Sequence, residues 1–235
     1  MIPAASTQLD LLGIWERGEG QPAWRRALAI LPDAGPMPVG RRDARLLELR
    51  EQFFGRTFGG VTACPACSED IELTFDADEV RRDCDGPSES FAILSGGYEL
   101  ELRLPETADL ESIAHAATLA DARATLFARC VIRATHDGAS VDASALPEEV
   151  IDAAAAAMAA RDPQADVTLE MTCPGCAHAW LEPFDVTTFL WTEVAAAARR
   201  LLREVHQLAW AYGWSEREIL ALSPARRSAY LEMLG

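Results

Sequence analysis

Cys64-Pro65-Ala66-Cys67 and Cys173-Pro174-Gly175-Cys176 are the two steps from which the fold of this chain is read. In each, a two-residue gap lets neighbouring thiolates grip one metal ion. A short strand-like run follows each step: Ile71, Leu73 and Phe75 after the first, Trp180 and Phe184 after the second. Two such turns meeting face to face make a four-cysteine zinc ribbon, tetrahedral and coordinatively closed. The 105 residues between Cys67 and Cys173 then form an insertion looped out of a metal-clamped base. The ion expected is one structural zinc held by Cys64, Cys67, Cys173 and Cys176, organising the protein and performing no chemistry. A redox dithiol needs one C-x-x-C on a helix N-terminus, whereas both pairs here carry proline inside the loop and strand-like flanks. An iron–sulfur centre is the other metal alternative.

With 235 residues, 49% of them hydrophobic, the chain can bury a real core as one large domain or two unequal ones. No run of 18 or more apolar residues occurs, and the N-terminus lacks a basic region followed by a hydrophobic stretch, so neither a membrane span nor a secretory signal is expected. Six cysteines could make three disulfides, but C-x-x-C spacing without an export signal favours metal chemistry in a reducing compartment. Cys84 and Cys130 lack close partners and read as free thiols, Cys130 inside a helix core.

Charge is unevenly spread. Residues 68–172 hold 23 Asp/Glu against 7 Arg, a net of −16, and the rest of the chain sums to zero. Lysine is absent, so every basic side chain is a guanidinium. An acidic middle argues against a nucleic-acid footprint, which needs a basic patch, and suits solubility or docking of a basic partner. Nor is a small-molecule substrate indicated. The chain has no Gly-rich phosphate loop, and His115, His136 and His206 have no catalytic partners in sequence. Asp76/Asp78 and Asp83/Asp85 read as a solvated acidic loop, and His178 as a hydrogen-bonding neighbour of the cysteines or a surface residue. No catalytic residue is assigned.

The expected fold class is α+β and mainly helical: a zinc ribbon with a long α/β insertion and a C-terminal helical segment. Residues 1–60 form the N-terminal helical segment, with helices over 8–17 and 23–31, a loop or exposed linker over 32–40, and a helix from Gly40 to about Phe54. Asp43 is placed in the first turn of that helix, and Gly59-Gly60 closes the segment. The ribbon base takes 61–76 and 168–186, the acidic inserted lobe 77–167, and the C-terminal helices 187–235. Within the lobe, Phe91–Leu94 and Tyr98–Leu104 alternate as strands around Gly96-Gly97. Helices are expected over 107–119, 121–133 and 145–160, with a turn at His136-Asp137-Gly138.

After the second knuckle, Leu190, Val194, Ala197, Leu201, Val205, Leu208 and Tyr212 fall at spacings of 4, 3, 4, 4, 3 and 4, one face of a helix over 188–212. Gly213 stops it, Ser215 and Glu218 make a capping box, and Ser223-Pro224 starts a last helix. Trp180 and Trp191 are read as core, with interface anchors as the alternative. The end of the chain is rich in large side chains, and Trp214, Ile219, Leu222, Arg226, Arg227, Tyr230 and Met233 are read as the partner-binding surface.

The run Trp210-Ala-Tyr-Gly-Trp214-Ser-Glu-Arg-Glu-Ile219-Leu-Ala-Leu-Ser-Pro-Ala-Arg226-Arg-Ser-Ala-Tyr230-Leu-Glu-Met233 resembles the ending of the T4-like bacteriophage baseplate protein family. The specific part is W-S-E-x-E-I-L-x-L followed by R-R-x-x-Y-L. Larger versions encoded with contractile phage-tail-like injection systems similarly combine an early G-R-R-D-x-x-L-L-x-L-R segment, here Gly40–Arg50, with two C-P-x-C knuckles and an F-L-W-x-E helix start, here Phe189–Glu193. The sequence departs from such knuckles in one respect: Ser68 and Ala177 stand where glycine often follows the last cysteine. The resemblance implies a structural or assembly protein of the baseplate or hub, working by contacts with other tail proteins in the bacterial cytoplasm or in the assembled particle. A chaperone for the tape-measure or another tail protein is the alternative role. A zinc-ribbon nucleic-acid regulator is a third.

Overall fold

The computed structural model describes residues 5–83 and 90–234, with side chains from Leu11 onward. Three helices come first: α1 (Ala5–Gly18), α2 (Ala23–Ile30) and α3 (Val39–Phe54). Strands β1 (Thr57–Ala63) and β2 (Asp70–Asp76) and the short α4 (Ala77–Val80) follow. The middle of the chain holds β3 (Phe91–Ser95), β4 (Tyr98–Leu102), α5 (Asp109–Ile113), α6 (Leu119–Cys130), β5 (Val131–His136), β6 (Ala139–Ser140) and α7 (Glu148–Arg161). Then come β7 (Thr168–Thr172), β8 (Ala179–Pro183), α8 (Val186–Tyr212), α9 (Glu216–Leu220) and α10 (Pro224–Glu232). The architecture is α+β, with a four-cysteine cluster and a C-terminal helical segment.

The chain divides into two compact units. One gathers the residues up to Ile30, Glu48–Arg56 and everything from Val186 onward. Its core is the stripe of α8: Ala198, Leu201, Val205 and Leu208 pack with Leu11 and Leu12 of α1 and with Ile219 and Leu220 of α9. Gly18 lets α1 approach closely, since a Cβ there would lie 2.3 Å from the ring of buried Trp191. Arg50 is buried and grips Glu193 with two hydrogen bonds of 2.9 and 2.6 Å. The helix ends are set locally as the sequence indicates. Ser215 and Glu218 form a reciprocal capping box, and Ser223 caps α10 with Pro224 in its first turn. Tyr212, the last member of the apolar stripe, is exposed rather than in the core.

The other unit comprises Leu31–Leu47 and Thr57–Asp185. Its inserted part is a four-stranded antiparallel sheet, ordered β3-β4-β5-β6. Gly96-Gly97 and Asp137-Gly138 close two of its hairpins with φ of 57°, 81°, 50° and 79°, the paired positive values of a type I′ turn. Leu100, Leu102 and Ala134 on one face pack with Phe127 of α6 and with Leu146, Val150 and Ala154.

Several expectations are corrected here. The helix expected over 121–133 ends at Cys130 and passes directly into β5, so Val131, Ile132 and Arg133 are strand residues. No glycine or proline marks that switch; the pairing of β5 with β4 imposes it. The helix expected over 107–119 is only α5, followed by turns. The strand expected to Leu104 ends at Leu102, after a bulge at Glu101/Leu102. Gly59 and Gly60 do not close a segment; they lie within β1, paired with Thr74 and Leu73 of β2. The 32–40 stretch is no exposed linker. The Val39 N–H donates to the Pro105 carbonyl at 3.0 Å, the Thr107 N–H to Met37 at 3.0 Å and the Ala108 N–H to Gly35 at 3.1 Å. Because α3 starts at Val39, Asp43 falls in its second turn, where it is buried and bonds Arg42 at 2.7 Å.

Candidate metal centre

The two hairpins β1-β2 and β7-β8 carry the cysteines at their tips. Their inner faces alternate as half-buried strands require: Phe58, Ile71 and Phe75 are buried on the first, and Met171 and Trp180 are half-buried on the second. Phe58 stacks on Phe75 at 5.0 Å between ring centroids, and Phe184 meets both rings edge-on at 5.5 Å. This aromatic base holds the hairpins together at the end away from the cysteines. Ile71, Met171 and Trp180 pack directly beneath Cys64 and Cys173. The Trp180 indole N–H donates to Glu182 at 2.9 Å.

Both knuckles have the same backbone. The Cys64 N–H donates to the Glu69 carbonyl at 2.9 Å, and the Ser68 N–H donates to the Cys64 carbonyl at 2.8 Å. In the second, the Cys173 N–H donates to His178 at 2.9 Å and the Ala177 N–H to Cys173 at 2.9 Å. Ser68 and Ala177 occupy equivalent positions with φ of 60° and 58°, the left-handed region. The turn demands that conformation, which is why glycine would suit it and why small residues serve.

The four sulfurs lie within 4.8 Å of one another, with Cys64–Cys176 at 3.7 Å and Cys67–Cys173 at 3.6 Å. A tetrahedral ion with metal–sulfur bonds of about 2.3 Å sets its sulfurs about 3.8 Å apart. Disulfide bonding, at about 2.05 Å, is far shorter than either separation. The residues therefore fit a four-coordinate metal ion, and all four expected ligands are brought together. Cys64 and Cys173 are buried, while Cys67 and Cys176 face solvent. Burial pushes the Cys64 thiol up, but the N–H groups of Cys67 and Ala66 aimed at its sulfur, with the thiols of Cys67 and Cys176, bring it down to about 7. Cys67 and Cys173 shift the other way: backbone N–H groups lower each thiol, but burial and neighbouring thiols outweigh them and push it up.

The other residues singled out in the sequence fall elsewhere. His178 is exposed and stacks on Trp180 at 6.0 Å. Asp76 and Glu79 form a capping box on α4. His136 stacks on Tyr98 at 4.3 Å. Cys130 is wholly buried at the end of α6, where burial pushes its thiol up to about 11. Cys84 and Asp85 lie outside the described residues. At the C-terminal end, Ile219 and Arg227 are buried, the latter bonded to Glu204 and the Leu222 carbonyl, each at 3.0 Å. Trp214, Leu222 and Tyr230 are half-buried, and Arg226 and Met233 are exposed. Trp210, which the sequence reading did not include, is 86% exposed.

Three features outside the ligand set were missed by sequence reasoning. Glu69 places a carboxylate oxygen 3.7 Å from the Cys173 sulfur, and Gly175 makes room for it, since a Cβ would lie 1.9 Å from that carboxylate. Asp109 is buried and gathers Arg103 in two bonds of 2.6 and 2.9 Å and Arg129 at 2.7 Å. Burial raises its carboxyl, but Arg103, the Glu106 N–H and Arg129 outweigh that and hold it at about 2. Asp162 caps the start of α3 from across the chain. Apart from the Arg103 and Glu106 contacts of Asp109, six and three residues away, these contacts join residues distant in sequence, so no spacing announces them.

Residues 28–191 match the family model described as T4 bacteriophage base plate protein, and the chain belongs to that family. No curated protein and no solved structure gives a match. The matched span contains both knuckles, the Gly40–Arg50 segment and the Phe189-Leu190-Trp191 start of the long helix, and it ends before the Trp210–Met233 run. Among the described residues no helix is long and apolar enough to cross a membrane.

Proposed function

We propose that this protein is a structural or assembly component of the baseplate or hub of a contractile phage tail or phage-tail-like injection system. Family membership over residues 28–191 is the observation that carries the reading. On this reading the metal is one zinc, bound by Cys64, Cys67, Cys173 and Cys176. All four positions are taken by thiolates, so the ion is closed to substrate and acts as a clamp. Its binding free energy becomes folding free energy for two hairpins that are distant in sequence. The protein then works by contact with other tail proteins and not by catalysis.

The acidic lobe, 77–167, is the semi-independent part of this design, supported by the separate hydrophobic cluster between its sheet and α6–α7. The C-terminal helices supply the principal docking surface, formed by Trp214, Leu222, Arg226, Tyr230 and Met233 with Trp210 added. The buried Ile219 and Arg227 support it from behind. Trp214, Tyr212 and Tyr230 form a ring cluster at 4.7–5.7 Å, and aromatic and arginine residues dominate protein interfaces. Purified intact particles test the role: this chain is expected at fixed stoichiometry. Its absence from finished particles would move it to a transient assembly factor, and normal particles from a deletion strain would refute both.

A further inference from the structure

The lobe's sheet has two edges of different character. β6 is two residues long, a blunted edge. β3, Phe91-Ala92-Ile93-Leu94-Ser95, is five residues long and carries no charge and no proline. Natural proteins protect such edges with lysine, proline, bulges or a covering element, because an open row of N–H and C=O groups recruits further strands. Among the described residues β3 carries none of these devices.

The register says which groups it offers. Ser95 pairs with Tyr98 across the two-residue turn, so that pair is hydrogen-bonded, as are the alternate positions Ile93 and Phe91. The N–H and C=O of Ala92 and Leu94 therefore point away from β4. Among the described residues no backbone bond outside the sheet reaches β3. The outer face of the sheet is open as well. A concavity of about 570 Å³ lies over Ala92, Leu94, Glu99, Glu101 and Arg133, and Leu94 is 76% exposed.

We infer that β3 is a strand-addition site for a basic, extended segment of another protein. Main-chain pairing to Ala92 and Leu94 supplies affinity, and alternate side chains supply selectivity. Ala92 lies opposite Glu101 and Leu94 opposite Glu99, so a docked residue facing Ala92 can pass over its methyl toward Glu101. Glu101 is engaged by Arg133 at 3.6 Å and accepts a hydrogen bond from the Ser90 hydroxyl at 3.0 Å, whereas among the described residues Glu99 has no ion-pair partner and is the open anion of the pair. An arginine or lysine one strand out, with an apolar residue two positions along against Leu94, satisfies both features. Pairing of two β3 edges from two copies is the other way to cover the strand. It would bring together two segments that each carry a net −16 over residues 68–172, and charge opposes it.

The site is separate from the C-terminal docking surface, and its test does not depend on that surface. Amide exchange of the full chain is measured by NMR with a synthetic Arg-Arg-Val-Val-Arg-Arg-Val peptide, in which arginine and valine lie two positions apart on each face, and with its counterpart carrying Glu in place of Arg. The basic peptide is expected to slow exchange at Ala92 and Leu94 at least tenfold and the acidic peptide to leave it unchanged. Ala92→Pro removes an outward N–H without touching the β3–β4 ladder, and it should abolish the protection. Leu94→Arg should weaken peptide binding at least tenfold, and it carries the test if the proline variant does not fold. Unchanged exchange with the basic peptide, equal protection by both peptides, or binding that survives both substitutions would overturn the proposal. Protection that appears without peptide and vanishes on dilution would assign the edge to a second copy instead.

Discussion

Asp162 accepts a hydrogen bond of 2.9 Å from the backbone N–H of Gly40, 122 residues away in sequence. It caps the first turn of α3, where helix N–H groups have no partner of their own, with a carboxylate from the residue that ends α7. A Cβ on Gly40 would lie 2.0 Å from one carboxylate oxygen of Asp162 and 2.8 Å from the Ala165 nitrogen. The glycine of the Gly40-Arg41-Arg42-Asp43 segment is thus required by close approach.

Gly40→Ala is therefore expected to cost about 2 kcal/mol or more, from loss of the cap and displaced backbone together. Asp162→Ala loses only the cap and should cost about 1 kcal/mol. Urea denaturation of both variants checks the order. An alanine at 40 that leaves the midpoint unchanged would show that the approach is not tight.

Two buried carboxyls give opposite pH dependences. Burial raises Asp43 to about 6 despite Arg42, so the folded state holds its proton more tightly than the unfolded chain does. Its contribution is present in full below about pH 4 and is lost as pH rises through about 6. Asp109, held at about 2, contributes above about pH 4 and is lost as pH falls toward 2. Asp43→Asn should flatten the stability profile between pH 4 and 6. Asp109→Asn should cost about 3 kcal/mol at pH 7, by leaving Arg103 and Arg129 without their shared anion. Thermal melts across pH 3–8 separate the two.

Ser68 and Ala177 hold left-handed backbone without being glycine. Ala177→Gly, and Ser68→Gly likewise, is expected to stabilise the folded protein by about 1 kcal/mol while leaving metal content unchanged. Denaturation midpoints that fall in both variants would contradict the strain argument.

Arg226 and Arg227 are adjacent in sequence but differ in place. Arg227 is buried against Glu204, so Arg227→Glu should destabilise the fold by 3 kcal/mol or more, on the order expected for a broken buried pair. Arg226 is exposed, and Arg226→Glu should shift stability by less than about 0.5 kcal/mol while weakening particle assembly. A folded Arg226→Glu protein with full assembly activity would remove the C-terminal end as the docking surface.

The parts legible in the sequence are those set by short-range rules. The C-x-x-C gap, the period of α8 and the Ser215–Glu218 capping box each depend on residues within one or two turns of each other, and the structure has all three. What stayed hidden depends on partners far away. β1 is masked by Gly59-Gly60 and exists because β2 pairs with it along its whole length. β5 reads as the tail of α6, since nothing local interrupts the helix. The 32–40 loop looks free until the Pro105–Ala108 segment binds it. Arg227 looks like a surface charge beside Arg226 because burial is a property of packing against α8.

Elemental analysis of the protein purified without added metal tests the central claim most directly. One zinc per chain is expected, falling away with loss of stability when any one of Cys64, Cys67, Cys173 or Cys176 is changed to serine, as a single closed four-thiolate site requires. Iron in its place, or a metal-free protein of unchanged stability, would contradict the account.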